Sequence, residues 1–206
     1  MRTLSAPRHA TLVLFMAATL AGCDGQSPSG TTSLSVRLKD APGDVQVAVV
    51  TISEVDLVGS GGVQVLTQTP TTVDLLTLAA SATTLVQGVE VPSGSYSQLR
   101  FKITGACIAV DDGNGGSAVY ATPGYDGTQC GTAAAQTLQA PSFAQSGLKV
   151  SLAGDALQLT GPEKILLVDF DVTQSFGHEA NGWVMHPVVT GGDVTVTQTA
   201  AVAPTN

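Results

Sequence analysis

The sequence predicts an all-β protein, an antiparallel β-sandwich formed by a single domain. Of its 206 residues, 43% are hydrophobic but only 4% are aromatic and 12% are charged, a profile typical of β proteins rich in Val, Thr and Gly. After residue 33, apolar and polar residues alternate with a period of two in most segments. Gly, Pro, Asp and Asn separate these segments, as they do in turns between antiparallel strands.

The N-terminal segment has the features of an export signal. Arg2 and Arg8 precede an unbroken apolar run, Ala10–Leu20, which is too short to span a bilayer because a spanning helix needs about twenty residues. The four residues that end at Cys23 (LAGC) resemble the bacterial lipobox. The resemblance implies that residues 1–22 are removed and that Cys23 receives diacylglycerol and further acyl chains such as palmitate. The alternative is an ordinary signal peptide cut nearby.

A lipid on Cys23 predicts where the protein resides. Two or three acyl chains anchor a protein stably, whereas one holds it only marginally. We therefore expect a lipid-anchored protein on the extracytoplasmic side of the cell envelope. Asp24 resembles a retention signal for the inner membrane of enteric bacteria, but that rule depends on lineage, so inner or outer membrane stays open. Residues 23–33 are small and polar after the cysteine, which predicts a flexible tether.

The charge balance narrows the range of partners. The chain carries a net charge of −8, and removal of residues 1–22 takes away two arginines and no acid, which leaves −10. So acidic a surface repels phosphate backbones, and we expect no nucleic-acid partner. It also offers no polybasic attraction to an anionic membrane, so membrane contact is expected through the lipid anchor alone.

The expected strands follow one another through residues 34–199. Residues 33–39 alternate as a strand with one solvated face does, and Asp40–Asp44 suits a tight turn. The β-branched segment 45–58 is expected to form a hairpin with residues 63–68. Further strands are predicted at 72–76, 95–103, 106–110, 118–121, 148–152, 164–172, 183–190 and 194–198. One short turn of helix is expected within 77–86, and 200–206 resembles a disordered tail.

Two cysteines remain once Cys23 carries lipid. Cys107 and Cys130 would then form an even pair in an oxidising compartment, where a disulfide is the expected state. The alternatives are buried free thiols or two metal ligands, although no other Cys or His lies close enough in sequence to complete a zinc set. Residues 113–140, rich in Gly, Ala, Thr and Gln, are expected to form a long excursion held by this disulfide.

Several segments together resemble a family of exported bacterial lipoproteins built around an uncharacterised domain, a domain of unknown function. They are Leu34–Val36, Leu38–Asp44, Val49–Val55, Val73–Leu78, Gly94–Arg100, Ser146–Val150 and Leu167–Asp171. The resemblance implies a transthyretin-like or immunoglobulin-like β-sandwich on a lipid anchor, with no established activity to carry over. The family usually has a short connection between the strand of Tyr96 and that of Leu148. Any specialised function is therefore expected in the longer connection found in this chain.

One candidate site in that connection is a calcium loop. Asp111, Asp112 and Asn114 cluster with glycines as in the first half of such a loop. The pattern is incomplete, because Gly116 stands where the third ligand belongs and no Glu closes the loop. A hairpin turn between the strands that flank it explains the same residues and is the favoured interpretation.

Aromatic residues provide a second candidate. Tyr120 and Tyr125 lie close in sequence beside the predicted disulfide, and exposed aromatic side chains form stacking platforms in sugar-binding sandwiches. Trp183 is expected in the core. Tyr96 is expected to tie down a loop through its hydroxyl group, as tyrosine corners do.

Two carboxylates on one strand face provide a third candidate. Asp169 and Asp171 are two residues apart, so both point to the same side of a strand, as paired acids for catalysis or metal binding would. His186 could approach them across a hairpin whose turn is Asn181–Gly182, and His178 is expected at the exposed tip of that loop. A solvated strand face explains the acids equally well.

These observations favour a non-enzymatic binding or structural module without a required cofactor, whose partner is an unknown protein or carbohydrate. The first alternative is a recognition module that binds calcium or carbohydrate through the 107–130 loop. The second alternative is a hydrolase that uses Asp169, Asp171 and His186.

Overall fold

The computed structural model describes residues 30–41, 45–141, 143–152 and 157–194. Two β-sheets enclose one hydrophobic core, which confirms the predicted all-β sandwich. Tight turns and short helices connect the strands. In chain order the elements are β1 (Thr31–Ala41), β2 (Val47–Gly59), β3 (Gly62–Thr67), β4 (Thr71–Asp74), β5 (Thr83–Pro92), β6 (Gly94–Asp111), β7 (Ser117–Ala121), β8 (Gln136–Thr137), α1 (Phe143–Ser146), β9 (Leu148–Ser151), β10 (Leu157–Leu159), β11 (Glu163–Asp171), α2 (Val172–Ser175), β12 (Phe176–Glu179), β13 (Gly182–Met185) and β14 (Val188–Val194), with 3-10 turns at Leu75–Leu78 and Thr128–Cys130.

The smaller sheet has the strand order β14-β11-β1-β5. In the larger sheet the order is β3-β2-β6-β7-β8, while β4 pairs with β2, and β9 and β10 pair with β6. The hairpin of β12 and β13 forms a separate two-stranded sheet. Most pairs are antiparallel, but β1 runs parallel to β11 and β7 runs parallel to β8. The sandwich is therefore mixed rather than purely antiparallel.

The core lies where the alternating apolar residues of the two sheets meet. Each strand sends every second side chain inward. The smaller sheet contributes Leu34, Val36, Leu38, Leu166, Val168 and Phe170, and the larger sheet contributes Val50, Leu57, Leu99, Phe101 and Ile108. Each fully buried aliphatic or aromatic side chain of this kind stabilises the fold by about 1.5–3 kcal/mol.

Two local predictions are confirmed. The β2–β3 hairpin forms as expected, with Ser60 and Gly61 in the loop and Gly62 at a positive φ of 104° that favours glycine. The Tyr96 hydroxyl group donates to the Pro92 carbonyl at 2.8 Å, so it ties β6 to the end of β5 as expected for a tyrosine corner.

Several predicted boundaries are wrong. The two strands expected at 95–103 and 106–110 are one continuous strand, β6. The strand β5 was not predicted, and the helical turn lies at Leu75–Leu78, largely before the range 77–86. β1 starts at Thr31, so residues 31–33 belong to the sheet rather than to the tether.

The C-terminal part departs further from the prediction. The segment expected as one strand at 183–190 is divided into β13 and β14 at His186–Pro187, because proline has no backbone N–H for a sheet ladder. β11 pairs with β14, while the Ala180–Asn181 turn joins the extra strand β12 to β13. The predicted turn residues 42–44 and the strand at 194–198, apart from Val194, lie outside the described residues, as does the tail 200–206.

Candidate functional site

The predicted disulfide is present and fastens a covering segment onto the outer face of the larger sheet. Cys107 on β6 bonds to Cys130 in the 3-10 turn, and both residues are buried. They pack with Val49, Val119 and neighbouring alanines in a small apolar cluster separate from the main core. The excursion of residues 122–134 is therefore a fixed cover on this face.

Tyr125 and Tyr120 do not form the expected stacking platform. Tyr125 packs against Gly105, where any side chain would overlap the tyrosine ring, and its hydroxyl group lies 3.3 Å from the Thr51 hydroxyl. Tyr120 instead contacts the ring of Trp183, with centroids 6.4 Å apart and planes tilted by 58°. The two tyrosines thus pack on different clusters, Tyr125 on the disulfide cluster and Tyr120 on the main core.

Trp183 is not a fully buried core residue. Its half-buried ring lies at the margin of the main core, between Tyr120 and the exposed His178, whose ring meets it edge-on with centroids 5.5 Å apart. The rings of Tyr120 and His178 are both tilted against the Trp183 ring, so neither forms a coplanar stacking surface with it.

The residues proposed as a calcium loop form a turn instead. The Asp112 carboxylate accepts hydrogen bonds from the backbone N–H groups of Asn114 at 2.8 Å and Gly116 at 2.9 Å, and Asp111 accepts one from Gly113 at 2.6 Å. The amides of Asn114 and Gly116 hold the pKa of the Asp112 carboxyl below its ordinary value. These acids therefore satisfy the turn backbone, which supports the favoured interpretation.

The three residues proposed for hydrolysis have separate partners. Asp169 forms an ion pair with Lys39 at 2.5 Å on the neighbouring strand β1. Asp171 caps α2 by accepting from the Gln174 backbone N–H at 3.0 Å. His186 lies 3.5 Å from Glu179 on the exposed β12–β13 side. None of these contacts joins two of the three residues, and the Oδ1 of Asp169 is buried without a hydrogen-bond partner.

In the described part of the chain, no group of three or more His, Cys, Asp or Glu side chains is arranged to hold a metal ion. Across the same residues, no helix has the length and apolar character needed to cross a membrane. Cys23, the predicted lipidation site, lies outside the described residues.

The larger sheet has a gap along one edge of β6. β2 pairs with nearly the whole length of β6. On the opposite side, β9 pairs with residues 98–101 and β7 with residues 107–111. Thr122 continues the β7 side by bonding to Ala106 through both its backbone and its hydroxyl group. Among the described residues, no strand pairs with residues 102–105 on this side.

An open groove of about 360 Å³ occupies this gap. Its walls come from β6, from the residues that follow β7, from the segment around α1 and from β13. The lining residues are Ile103, Thr104, Gly105, Thr122, Pro123, Ala140, Pro141, Phe143, Gln145 and Met185. The accessible surface of this groove, the β6 groove, is at least as polar as it is apolar, and two hydroxyl groups and one amide lie among its lining residues. Its size lies within the range of small-molecule sites.

A charged cluster lies next to this groove on the outer face of the larger sheet. Glu54 on β2 forms an ion pair with Lys102 on β6 and accepts from the Gln68 amide at 2.7 Å. Both contacts hold the pKa of the Glu54 carboxyl below its ordinary value. Asp56 is only 6% exposed, and its Oδ1 has no hydrogen-bond partner. Burial, together with the Glu54 charge, raises the pKa of Asp56.

The sequence alone did not identify the β6 groove. Its walls come from four separate parts of the chain, and their meeting depends on where β7 ends and β9 begins along β6. One local signal was present: Thr104 and Gly105 interrupt the apolar alternation of β6 at the place where its register with β2 shifts.

The fold and the groove define an all-β sandwich protein with a disulfide-fastened cover and a break in its larger sheet. The chain belongs to the family described as Domain of unknown function (DUF4382), which matches residues 31–187. This match confirms the resemblance to an uncharacterised domain. No curated protein and no solved structure matches the chain.

Proposed function

We propose that this protein is a non-enzymatic binding module, anchored by lipid on the extracytoplasmic side of the cell envelope, and that it holds its ligand in the β6 groove. The groove carries the proposal. It lies between two strands that both pair with β6, so its walls belong to the packed sheet and exist before a ligand arrives. Preformed clefts that combine apolar side chains with a small number of polar groups are the usual form of small-molecule sites.

The chemistry of the groove supports binding rather than catalysis. Pro123, Pro141 and Phe143 offer apolar contact, while Thr104 and Gln145 offer hydrogen bonds. None of the lining residues has an ionisable side chain, and general acid–base catalysis relies on such groups. The calcium alternative receives less support, because the Asp112 carboxylate accepts hydrogen bonds from backbone N–H groups of its own turn. The carbohydrate alternative receives less support, because Tyr120 and Tyr125 pack against different hydrophobic clusters.

The N-terminal sequence and the disulfide support the location. The apolar run before Cys23 and the small residues preceding it suit export and lipid transfer. A buried disulfide between Cys107 and Cys130 is typical of proteins outside the cytoplasm. Since β1 starts at Thr31, residues 24–30 would form the tether between lipid and domain.

The groove is tested with N-phenyl-1-naphthylamine, a neutral apolar dye that fluoresces more strongly when it leaves water. The exported chain carrying Cys23→Ser should bind the dye, because the groove offers apolar walls of suitable size. Adding Thr104→Arg should weaken dye binding at least tenfold, since the long side chain would enter the groove.

Thr190→Arg is the matched control, because Thr190 is an exposed strand residue on the smaller sheet. This variant should bind the dye as the parent chain does. Equal binding by the Thr104→Arg variant would refute the groove as the ligand site.

A further inference from the structure

Half of the basic residues in the expected mature chain lie together. After residues 1–22 are removed, six remain: Arg37, Lys39, Arg100, Lys102, Lys149 and Lys164. Arg100 on β6 lies directly opposite Lys149 on β9, and Lys102 follows two residues later on the same strand. These three residues form the basic patch on the outer face of the larger sheet.

The basic patch has an excess of positive charge. Lys102 is neutralised by its ion pair with Glu54. The Arg100 Nε donates to the neutral Gln98 amide at 2.7 Å, and no acidic side chain of the described residues forms an ion pair with the exposed Lys149. Asp56 on β2 lies opposite Arg100, so the three basic groups of the patch face the two carboxyl groups of Glu54 and Asp56. The patch can therefore attract an anion within an otherwise acidic protein.

The basic patch borders the β6 groove. A Cβ added at Gly147 would lie 3.5 Å from the Cβ of Arg100 and 3.9 Å from its Cδ, so the Arg100 stem runs alongside this glycine. The Gly147 N–H donates to the Phe143 carbonyl at 3.1 Å at the end of α1. Phe143 and Gln145 of the same helix line the groove, which places the Arg100 stem next to the end of this wall, and Lys149 follows Gly147 by two residues.

We infer that the β6 groove and the basic patch together bind a single-chain anionic amphiphile, a fatty carboxylate, with its chain in the groove and its carboxylate at Arg100 and Lys149. The inference rests on the proposed function of the groove and adds the chemical class of the ligand. Burial of the chain against Pro123, Pro141 and Phe143, which are exposed or half-buried, supplies the apolar contribution.

The head group has a matching partner. Arginine presents a planar fork of N–H donors to a carboxylate, and such charge-assisted hydrogen bonds are stronger than neutral ones. The long lysine side chain adds a flexible positive charge beside it. A neutral alcohol of the same chain length keeps the apolar contacts but loses the charge-assisted bonds.

The test measures displacement of N-phenyl-1-naphthylamine by decanoate and by decanol from the exported chain carrying Cys23→Ser. Decanoate should displace the dye at a roughly tenfold lower concentration than decanol, as expected for one or two hydrogen bonds to a charged group. Adding Arg100→Gln and Lys149→Gln should abolish this preference while dye binding is retained.

Arg37→Gln is the matched control, because Arg37 is exposed on the smaller sheet. It should keep the preference for decanoate. If decanoate and decanol displace the dye equally from the parent chain, the inference about the carboxylate is overturned while the groove stands. If the dye itself does not bind, the proposed function is overturned as well. A preference that persists in the Arg100→Gln, Lys149→Gln variant also contradicts the inference.

Discussion

Asp56 and Asp169 are the two described residues whose side chains have a buried oxygen without a hydrogen-bond partner, and Asp56 is the more deeply buried of the two. Asp56 is only 6% exposed, and buried carboxyl oxygens normally have hydrogen-bond partners, yet its Oδ1 has none. Glu54, two residues earlier, lies near enough for its carboxyl group to interact with that of Asp56. A protonated Asp56 can donate to Glu54, which would satisfy the buried oxygen and avoid repulsion between two carboxylates.

The raised pKa of Asp56 predicts how stability depends on pH. As the pH rises above 3.8, the ordinary pKa of an Asp carboxyl group, Asp56 loses its proton in the unfolded chain before it does so in the folded protein. The unfolded state then binds fewer protons than the folded state, so the free energy of unfolding falls with rising pH. This fall ends once the pH passes the raised pKa of Asp56 in the folded protein. Asp56→Asn retains a donor without the charge and should stabilise the protein by about 1 kcal/mol at neutral pH. Urea denaturation across this pH range measures the difference.

Glu54→Gln serves as the contrasting variant. The pKa of Glu54 is lowered by Lys102 and Gln68, so its charge supports the fold at neutral pH, and this support is lost as the pH falls through the folded pKa. The Gln variant should therefore be less stable than the parent at neutral pH. A destabilised Asp56→Asn variant would contradict the assigned role of Asp56.

Single residues were predicted well where their chemistry is local. The cysteine pair and the Tyr96 corner followed from residue type and position. The partners of Asp169 and His186 did not, because they depend on which strands become neighbours. Asp169 meets Lys39 only because β11 lies in parallel register beside β1, which no local pattern in either segment reveals.

At the scale of elements, strands were predictable where alternation is regular and poorly predictable where it breaks. β1 alternates regularly and was predicted, and the β2–β3 hairpin was predicted from its β-branched residues and the glycine-rich turn between them. In β5, Gly88 has a positive φ of 60°, and the pairing with β1 shifts register nearby, so the apolar spacing loses its period. Register shifts in the pairing of β6 with β2 interrupt the apolar alternation of β6, so its sequence resembles two separate strands.

The Cys107–Cys130 disulfide links the cover, residues 122–134, to strand β6. Replacing Cys107 and Cys130 together by serine removes a cross-link between residues separated by 23 positions. We expect the free energy of unfolding to fall by about 3 kcal/mol, because the unfolded chain gains the entropy of an open loop. Urea denaturation of the exported Cys23→Ser chain, with and without the two further substitutions, measures this loss. Unchanged stability would show that the cover is held without the cross-link.

At the scale of the whole molecule, the fold class was predictable because composition and a period of two act over the entire chain. The β6 groove was not, since four distant segments form it. The break in the larger sheet arises because β7 and β9 both pair with β6 but leave residues 102–105 between them. A cleft of this kind follows from topology rather than from any motif.

The proposed lipid anchor at Cys23 predicts in which cell fraction the whole protein is found. Cys23→Ser should move the protein from the membrane fraction to the soluble extracytoplasmic fraction, because the thiol that would receive the acyl chains is gone. Ser33→Cys in the parent chain is a useful companion, since it keeps Cys23 and should leave the protein in the membrane fraction. Membrane association that survives Cys23→Ser would refute lipid attachment at this residue.

The most direct test of the β6 groove is a map of its contacts in solution. Backbone amide chemical shifts of the isotope-labelled Cys23→Ser chain, recorded during titration with N-phenyl-1-naphthylamine, would report which residues meet the dye. The account predicts saturable changes centred on Thr104, Gly105, Thr122 and Gln145, all of which line the groove. Changes centred on another part of the molecule, or none at saturating dye, would contradict it.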